Sequence, residues 1–354
     1  MARSPRSRAA RAPLGVPLVA LLLAAGCGAG GPGSPAERVR DDAGLIDEVQ
    51  REELSRYHEL LLHDHDIDYR VQTVRGEPDL NLYAARRYEE LEVGSRSRTG
   101  RGLLLVIDAE HDRVRLEVGR ALEGQLPDAV VAYLEHRQMV PFFRSGRVAH
   151  GILATTELLV SRVQEARARG DWAAPGPIHG TSGAGAATQA GLGAGAEPSR
   201  EAPDDAGTAA RAGATPEATL AAYTRALAER DARPDLDVYS ADTRRMLRDW
   251  VVTPAQMDHL VRTYRGCHPE PARLDAANAR AVIRYPIPER RCSPWFFVRE
   301  QGRWRLDLTT MQSAIRFGRS NAWRFVPGVE HPYGFAFEGW SLDRNGFPQV
   351  ARRD

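Results

Sequence analysis

Two carboxylates five residues apart, Glu123 and Asp128, lie between a strand-like run and a helix-like run. A Gly follows the glutamate and a Pro precedes the aspartate, as is typical of a loop. At the edge of an open α/β sheet, two such acids could help to hold a hard divalent cation. The simpler interpretation is a loop acid followed by an acidic first helical turn, which the helix dipole favours. The local pattern leaves both interpretations open.

The elements that must position these acids alternate between helical and strand patterns over residues 37–168. Apolar residues recur at helical spacing over Ile46–Leu62, whereas Gly102–Ile107 is a continuous apolar run, typical of a strand covered on both faces. Arg113–Val118 alternates as a strand and follows a turn at Asp108–Asp112, which indicates an antiparallel pair. Strands between helices predict an α/β fold with a mixed sheet and helices on both faces.

Four motifs follow one another along this domain: Val39–Ile46, Gly102–Leu105, Arg115–Glu123 followed by Leu126-Pro127-Asp128, and Pro141–Gly151. In content and order they resemble the motifs of the TPM domain family. The resemblance implies a Rossmann-like α/β/α sandwich in an exported or membrane-associated protein. It also implies either an accessory role or a weak acid phosphatase activity, and divalent-cation binding through loop acids.

The resemblance adds a third candidate ligand, Asp41, which matches the aspartate of the family's opening motif. Oxygen donors from Asp41, Glu123 and Asp128 would suit Ca²⁺ or Mg²⁺. Two departures weigh against this metal site: Arg101 replaces an Asn of the family, and Ala121 replaces a Gly. An arginine near the acids could pair with one of them in place of a cation.

Other chemistry has weaker support. His63 and His65 could contribute to a transition-metal site, but a polar helix end with His near its C-terminus is the better interpretation. The sequence contains no GxSxG, HExxH or P-loop motif. We therefore assign no catalytic residues.

The N-terminus predicts export. Residues 1–27 combine an arginine-rich start, a short apolar run and small residues before Cys27, which resembles a bacterial lipoprotein signal. Acylation of Cys27 would anchor the mature chain through the tether 28–36. An ordinary cleaved signal is the alternative. We expect the bacterial cell envelope, at the periplasmic face of the outer membrane, since no Asp follows the Cys.

Charge excludes nucleic acid as a partner. All 48 basic residues are arginines, and without the four in the signal 44 remain against 47 acidic residues, a net charge of −3. That balance gives no electrostatic surface for a polyanion. The absence of lysine also excludes a lysine nucleophile.

Residues 169–214 are rich in Gly, Ala and Pro and predict a disordered linker between independently moving domains. Residues 215–310 begin with helices and end in an antiparallel hairpin, and resemble the nuclear transport factor 2-like α+β cone. With Cys27 acylated, the even remainder of Cys267 and Cys292 indicates a disulfide. Residues 311–354 are too aromatic for a disordered tail and should pack on this domain.

Together these features predict a lipid-anchored envelope protein of accessory or binding type, with an envelope protein as partner. The first alternative is a metal-dependent phosphatase in which Asp41, Glu123 and Asp128 hold the ion and water is the nucleophile. The second is a small apolar ligand bound by the C-terminal domain.

Overall fold

The computed structural model describes residues 38–172, 178–194, 210–317 and 322–350. Cys27 and the signal-like segment lie outside them. Within the described ranges, no helix combines the length and hydropathy needed to cross a bilayer. The helices are α1 Glu48–His65, α2 Leu80–Glu90, α3 Asp128–Leu134, α4 Val140–Arg144, α5 Val148–Arg169, α6 Pro216–Ala228, α7 Ala241–Arg248, α8 Pro254–Arg265 and α9 Leu308–Ala314. The strands are β1 Val39–Asp41, β2 Asp68–Val74, β3 Gly102–Asp108, β4 Arg113–Val118, β5 Thr188–Gln189, β6 Arg273–Leu274, β7 Arg280–Ile283, β8 Trp295–Glu300, β9 Arg303–Leu306, β10 Ile315–Phe317, β11 Trp323–Phe325, β12 Trp340–Leu342 and β13 Pro348–Val350.

The N-terminal domain is built on a five-stranded sheet in the order β1-β2-β3-β4-β5. The first three strands are parallel, and β4 and β5 each pair antiparallel with the strand before them. Strand β3 is wholly buried because it supplies apolar side chains to both faces. Leu103, Leu105 and Ile107 join the core under α1 and α5, whereas Leu104 and Val106 join the core under α2. The predicted α/β class, with helices on both faces of a mixed sheet, is confirmed.

The edge of this sheet is covered by residues 178–194, here called the edge segment. Thr188 and Gln189 pair with β4, and Gly119 forms an antiparallel bridge with Thr181. The edge segment covers a buried ion pair between Arg115 and Glu117, whose side chains are each 1% exposed. The prediction of a disordered linker therefore fails for residues 178–194, because they satisfy polar groups that β4 would otherwise leave buried without partners. Residues 173–177 and 195–209 of that linker lie outside the described residues.

Two glycines of the resemblance motifs are explained by one tyrosine. The Tyr88 hydroxyl lies against Gly102 and Gly119, so that a Cβ at either position would collide with it. Gly119 also donates its N–H to the Gly102 carbonyl at 3.0 Å, which closes the end of the β3–β4 pair. These glycines are thus needed for space rather than for a special backbone angle.

We expect Gly119→Ala to destabilise the N-terminal domain by about 2 kcal/mol, because the added methyl forces the buried Tyr88 ring to move. Tyr88→Phe should by itself be nearly neutral, since its hydroxyl has no hydrogen-bond partner among the described residues. The double variant should recover part of the loss, as measured by thermal unfolding. An equally large loss in the single and double variants would contradict the assignment of the clash to the hydroxyl.

The C-terminal domain packs α6, α7 and α8 on one face of a four-stranded antiparallel sheet, in the order β6-β7-β8-β9. Thr215 and Thr253 cap α6 and α8 as their Thr-Pro sequences predict, each accepting a hydrogen bond from a backbone N–H three residues on. The disulfide Cys267–Cys292 is present, with Cα atoms 6.1 Å apart, and ties the end of α8 to the chain before β8. The resemblance to the nuclear transport factor 2-like cone stays a prediction.

Aromatic rings fill the space between these helices and the sheet. Tyr264 and Trp295 lie 4.8 Å apart by ring centroids, and Tyr223 meets Trp295 edge-on at 5.5 Å. On the opposite face, Tyr333 of the C-terminal extension stacks on Phe296 at 4.3 Å. The extension therefore packs on the sheet, as its aromatic content predicts.

Candidate functional site

The carboxyl ends of β1, β2 and β3 meet at one edge of the N-terminal sheet, where ligands of open α/β sheets usually bind. Asp41 lies there, but its carboxylate is used by its own loop. Oδ1 accepts from the Leu45 N–H at 3.0 Å and from the Thr73 hydroxyl, and Oδ2 accepts from the Ile46 N–H at 2.9 Å. Asp41 therefore holds the turn that leads into α1.

Asp108, at the same edge, is also engaged by the chain itself. Its wholly buried carboxylate accepts hydrogen bonds from the Gly76 and Glu77 N–H groups at 2.9 and 3.0 Å and lies 2.8 Å from Nδ1 of His111. Burial acts to raise the pKa of Asp108, but the hydrogen bonds from His111 and from the backbone outweigh it, so that the pKa lies below its ordinary value. This acid joins the β2–α2 loop to the β3–β4 turn.

Glu123 and Asp128 lie at the opposite end of the strands, beyond the amino ends of β2 and β3. Asp41 is level with Ile107 through Thr73, whereas β4 runs back along β3 and ends with Val118 opposite Leu103. The end of β4 is therefore separated from Asp41 by about 13 Å along the strands and about 14 Å across the sheet, and Glu123 lies further along the chain. The fold therefore does not bring Asp41 together with Glu123 and Asp128, the three predicted ligands, because β4 runs antiparallel to β3.

The individual environments of these two acids agree with the simpler interpretation of each. Asp128 is exposed in the first turn of α3, where the helix dipole favours a negative charge. Glu123 is half-buried, and no described residue is a hydrogen-bond partner of its Oε1. Arg101 does not pair with either acid: it lies 3.7 Å from Asp66 and stacks over the Trp172 ring at 4.0 Å.

No three His, Cys, Asp or Glu side chains converge in a way that could hold a metal ion within the part of the chain that the structure describes. His63, which is exposed, pairs with the neighbouring Asp64 at 2.7 Å. Binding of Ca²⁺ or Mg²⁺ therefore stays a prediction without a ligand set in the described residues.

The two domains are joined by buried polar contacts. The Thr253 hydroxyl, at the start of α8, donates to Oε1 of Gln138, and both residues are fully buried. The Tyr133 hydroxyl donates to Asp258, which also accepts two hydrogen bonds from Arg230 at 3.0 and 2.9 Å. Burial and the hydrogen bond to Asp258 raise the pKa of Tyr133 to about 12, so that the hydroxyl remains a donor. Two residues of the C-terminal domain also enter the N-terminal hydrophobic core, Val251 and Ala255.

An open cleft of about 560 Å³ lies beside this contact. One wall is a stripe of the helical run 128–144, which includes a π-helical turn at Glu135–Met139, and the other is formed by the loop after α6 and the start of α8. The polar lining consists of Tyr133, His136, Arg137, Arg144, Gln189 and Arg230. The apolar lining includes Val140, Ala232, Val252, Pro254 and Met257.

The lining of this cleft is cationic and apolar. Three arginines and one histidine line it, and none of the described lining residues is Asp or Glu. Guanidinium groups donate paired hydrogen bonds to anions, while the apolar part of the lining can bury a hydrocarbon or aromatic group. The cleft is not evident from the sequence, because its walls come from segments about 100 residues apart. The arginine spacing Arg137–Arg144, two helical turns on one face, was the only available signal.

Comparison with known proteins identifies the N-terminal domain. Residues 39–162 match the family model TPM_phosphatase, described as the TPM domain. This range begins at β1 and ends within α5, and it includes every motif of the resemblance noted above. These residues form a TPM domain. The C-terminal domain and the edge segment lie outside the matched range, so the TPM domain supplies only one wall of the cleft.

A solved structure that is similar to part of the chain is the N-terminal domain of a protein from P. gingivalis, determined by NMR in solution. It shares 30% sequence identity, covers 37% of this chain and 86% of its own, and has a TM-score of 0.33. No curated protein matches the chain.

Proposed function

We propose that this chain is an accessory binding protein of the bacterial cell envelope, held by acyl chains on Cys27 at the periplasmic face of the outer membrane. Its TPM domain and C-terminal domain act together on an envelope protein partner. The lipoprotein-like signal at residues 1–27 supports the location. Contact between the two domains supports their acting as one unit, since Thr253, Gln138 and Asp258 would be exposed to water on separation.

The observation that carries a binding role is the use of the acids at the parallel edge of the TPM sheet. The carboxylate oxygens of Asp41 and Asp108 accept hydrogen bonds from loop N–H groups, and also from Thr73 and His111 respectively. Carboxylates saturated in this way hold loops in place and are poorly available as bases or nucleophiles. The accessible polar groups lie instead in the cleft, whose arginines and apolar side chains favour recognition.

The proposed location and partner are tested by Cys27→Ser, with Gly28→Ser as the matched control. We expect Cys27→Ser to move the chain from the membrane fraction to the soluble fraction, because a protein without acyl chains loses the burial of their methylenes in the bilayer. In-cell crosslinking should recover the same envelope protein from the wild type and from Gly28→Ser, and much less of it from Cys27→Ser. Release of the wild type without lipid, or no reproducible partner, would contradict the proposal.

A metal-dependent phosphatase is the alternative, and the name of the matching family model favours it. In this chain Asp41 cannot share an ion with Glu123, because the two lie at opposite ends of the sheet. The alternative therefore requires a site that other residues form around Glu123. Release of phenol from phenyl phosphate that depends on Ca²⁺ or Mg²⁺, and is lost in Glu123→Ala, would establish it in place of the binding role.

A further inference from the structure

We propose that the cleft between the two domains binds a small organic anion that carries an apolar or aromatic group. This goes beyond the partner-binding role, because the ligand would occupy the cleft whether or not a protein partner is recruited. The site requires the C-terminal domain, which supplies one of its walls.

The size and composition of the cleft limit what it can hold. A volume of about 560 Å³ lies within the range of small-molecule sites, roughly 300–1,000 Å³. Its apolar side chains, such as Val252 and Met257 from the C-terminal domain and Val140 from the TPM domain, can cover a ring or a short hydrocarbon. Burial of such a group contributes about 25 cal/mol per Å² of apolar surface.

The polar lining specifies the charge of the ligand. His136, Arg137 and Arg144 are exposed residues of the helical run, and Arg230 faces them from the C-terminal domain. Asp258 compensates the charge of Arg230. Tyr133 donates a hydrogen bond to Asp258 and stays neutral, so it adds no anion to the lining. An arginine-rich lining without a described carboxylate attracts anions and repels amines.

The side chain of Arg144 packs against the edge segment at Gly191. A side chain at Gly191 of the edge segment would collide with the Arg144 side chain, so the glycine gives this arginine room against the edge segment. Gly191 has φ of +76°, a backbone conformation that glycine adopts at little cost. The edge segment also contributes Gln189 to the lining, so the same segment that closes the TPM sheet shapes one end of the cleft.

The experiment is calorimetric titration of the purified chain with three small aromatic probes: phenyl phosphate, benzoate and benzylamine. We expect phenyl phosphate to bind most tightly, because its phosphate offers more acceptor oxygens to guanidinium groups than a carboxylate does. Benzoate should bind more weakly, and benzylamine should not bind. Inorganic phosphate alone should bind more weakly than phenyl phosphate, since it leaves the apolar lining uncovered.

Arg144→Gln should weaken phenyl phosphate binding by about tenfold or more, the loss expected for a charged hydrogen-bonding partner. Arg56→Gln, which removes an exposed arginine of α1 away from the cleft, is the charge-matched control and should bind as the wild type does. Val252→Asp should also weaken binding, by placing a carboxylate in the lining. Unchanged circular dichroism and thermal unfolding would show that each variant is folded.

Equal affinity of the wild type and Arg144→Gln, or no binding of either anion, would overturn the cleft proposal. Tight binding of benzylamine would overturn it as well, because it would reverse the charge preference. Vesicles with and without phosphatidic acid form a separate arm: binding to vesicles alone, with none to phenyl phosphate, would assign the arginines to a lipid surface and reject the small ligand. Partner capture is measured independently, so either proposal can fail while the other stands.

Discussion

Between pH 7.5 and pH 4, the free energy of unfolding of the TPM domain is expected to fall by about 3 kcal/mol less in His58→Phe than in the wild type. His58 is 1% exposed on α1, its ring lies 4.3 Å from that of Tyr69, and neither ring nitrogen has a hydrogen-bond partner among the described residues. Burial and the nearby charge of Arg38 lower the pKa of His58 from 6.5 to about 3. The folded domain therefore holds this imidazole neutral.

The sign follows from which state takes up the proton. Below pH 6.5 the unfolded chain protonates His58, whereas the folded domain does not until about pH 3. Stability is complete above pH 6.5 and falls with pH through that window, by about 1.4 kcal/mol for each pH unit. Phenylalanine stacks on Tyr69 in a similar way but binds no proton, so this part of the pH dependence disappears.

Amide exchange of peptides from β2 and β3, corrected for intrinsic rates, measures the free energy of unfolding of the TPM domain. The readout is the difference between pH 7.5 and pH 4, so a constant cost of fitting the larger ring cancels. His63→Gln is the matched control, since His63 lies on the same helix but is exposed. If His58→Phe retained the full acid loss of the wild type, the neutral buried imidazole would be disproved.

The wild type is expected to lose about 2.5 kcal/mol more stability between pH 5 and pH 8 than Glu135→Gln does. Glu135 is fully buried in the π-helical turn, where Oε1 accepts from the Leu116 N–H at 2.7 Å and Oε2 accepts from the Thr188 hydroxyl at 2.6 Å. Burial raises the pKa of Glu135 to about 7, although these hydrogen bonds and Arg115 oppose the shift. The carboxyl thus accepts the N–H of Leu116 in β4, beyond the residues of β4 that pair with the edge segment.

The sign is opposite to that of His58. Between pH 4.5 and pH 7 the folded chain holds a proton that the unfolded chain has released, so stability is complete below pH 4.5 and is lost as pH rises to about 7. Glutamine reproduces the protonated acid, with an oxygen for Leu116 and an N–H for Thr188. Glu89→Gln is a useful control, because Glu89 also accepts a hydrogen bond from the edge segment, at Thr181.

Urea unfolding of Glu135→Gln, Glu89→Gln and the wild type at pH 5 and pH 8, monitored through amide exchange in β4, would measure the Glu135 effect. A Glu135→Gln profile parallel to that of the wild type would mean that the carboxylate is ionised at pH 5 and that burial does not dominate. Between pH 4.5 and pH 6.5 the contributions of His58 and Glu135 to the pH dependence of stability have opposite signs. Each single variant should expose the slope of the other group.

The local patterns of the sequence were sufficient for most of the elements. The apolar run Gly102–Ile107 predicted a strand covered on both faces, and the structure buries β3 between two cores. Thr-Pro pairs predicted the starts of α6 and α8, because a threonine cap and a proline in the first turn satisfy only local requirements. The pairing of Cys267 with Cys292 followed from an even count once Cys27 was set aside.

The candidate site was less predictable, because strand direction is a property of the sheet. Glu123 and Asp41 each lie at the end of a strand, but β1 is parallel to β3 while β4 is antiparallel, so the two ends face opposite ways. The predicted turn at Asp108–Asp112 already implies this reversal. Motif order along the chain does not report which edge a residue reaches.

The sequence by itself determined most of the helices, the central strands of the two larger sheets, the disulfide and the TPM motifs, since each depends on residues close in the chain or on a count of cysteines. Only the tertiary structure decided the rest: the Gly-rich residues 178–194 form an edge segment, and Asp258 meets Tyr133 across the domain contact. The tertiary structure also decided that Arg137 and Arg144 of the helical run line a cleft. The physical reason is that a buried polar group must find a partner. Thr181, Thr188 and Tyr133, which donate to Glu117, Glu135 and Asp258, lie 64, 53 and 125 residues from them in the chain.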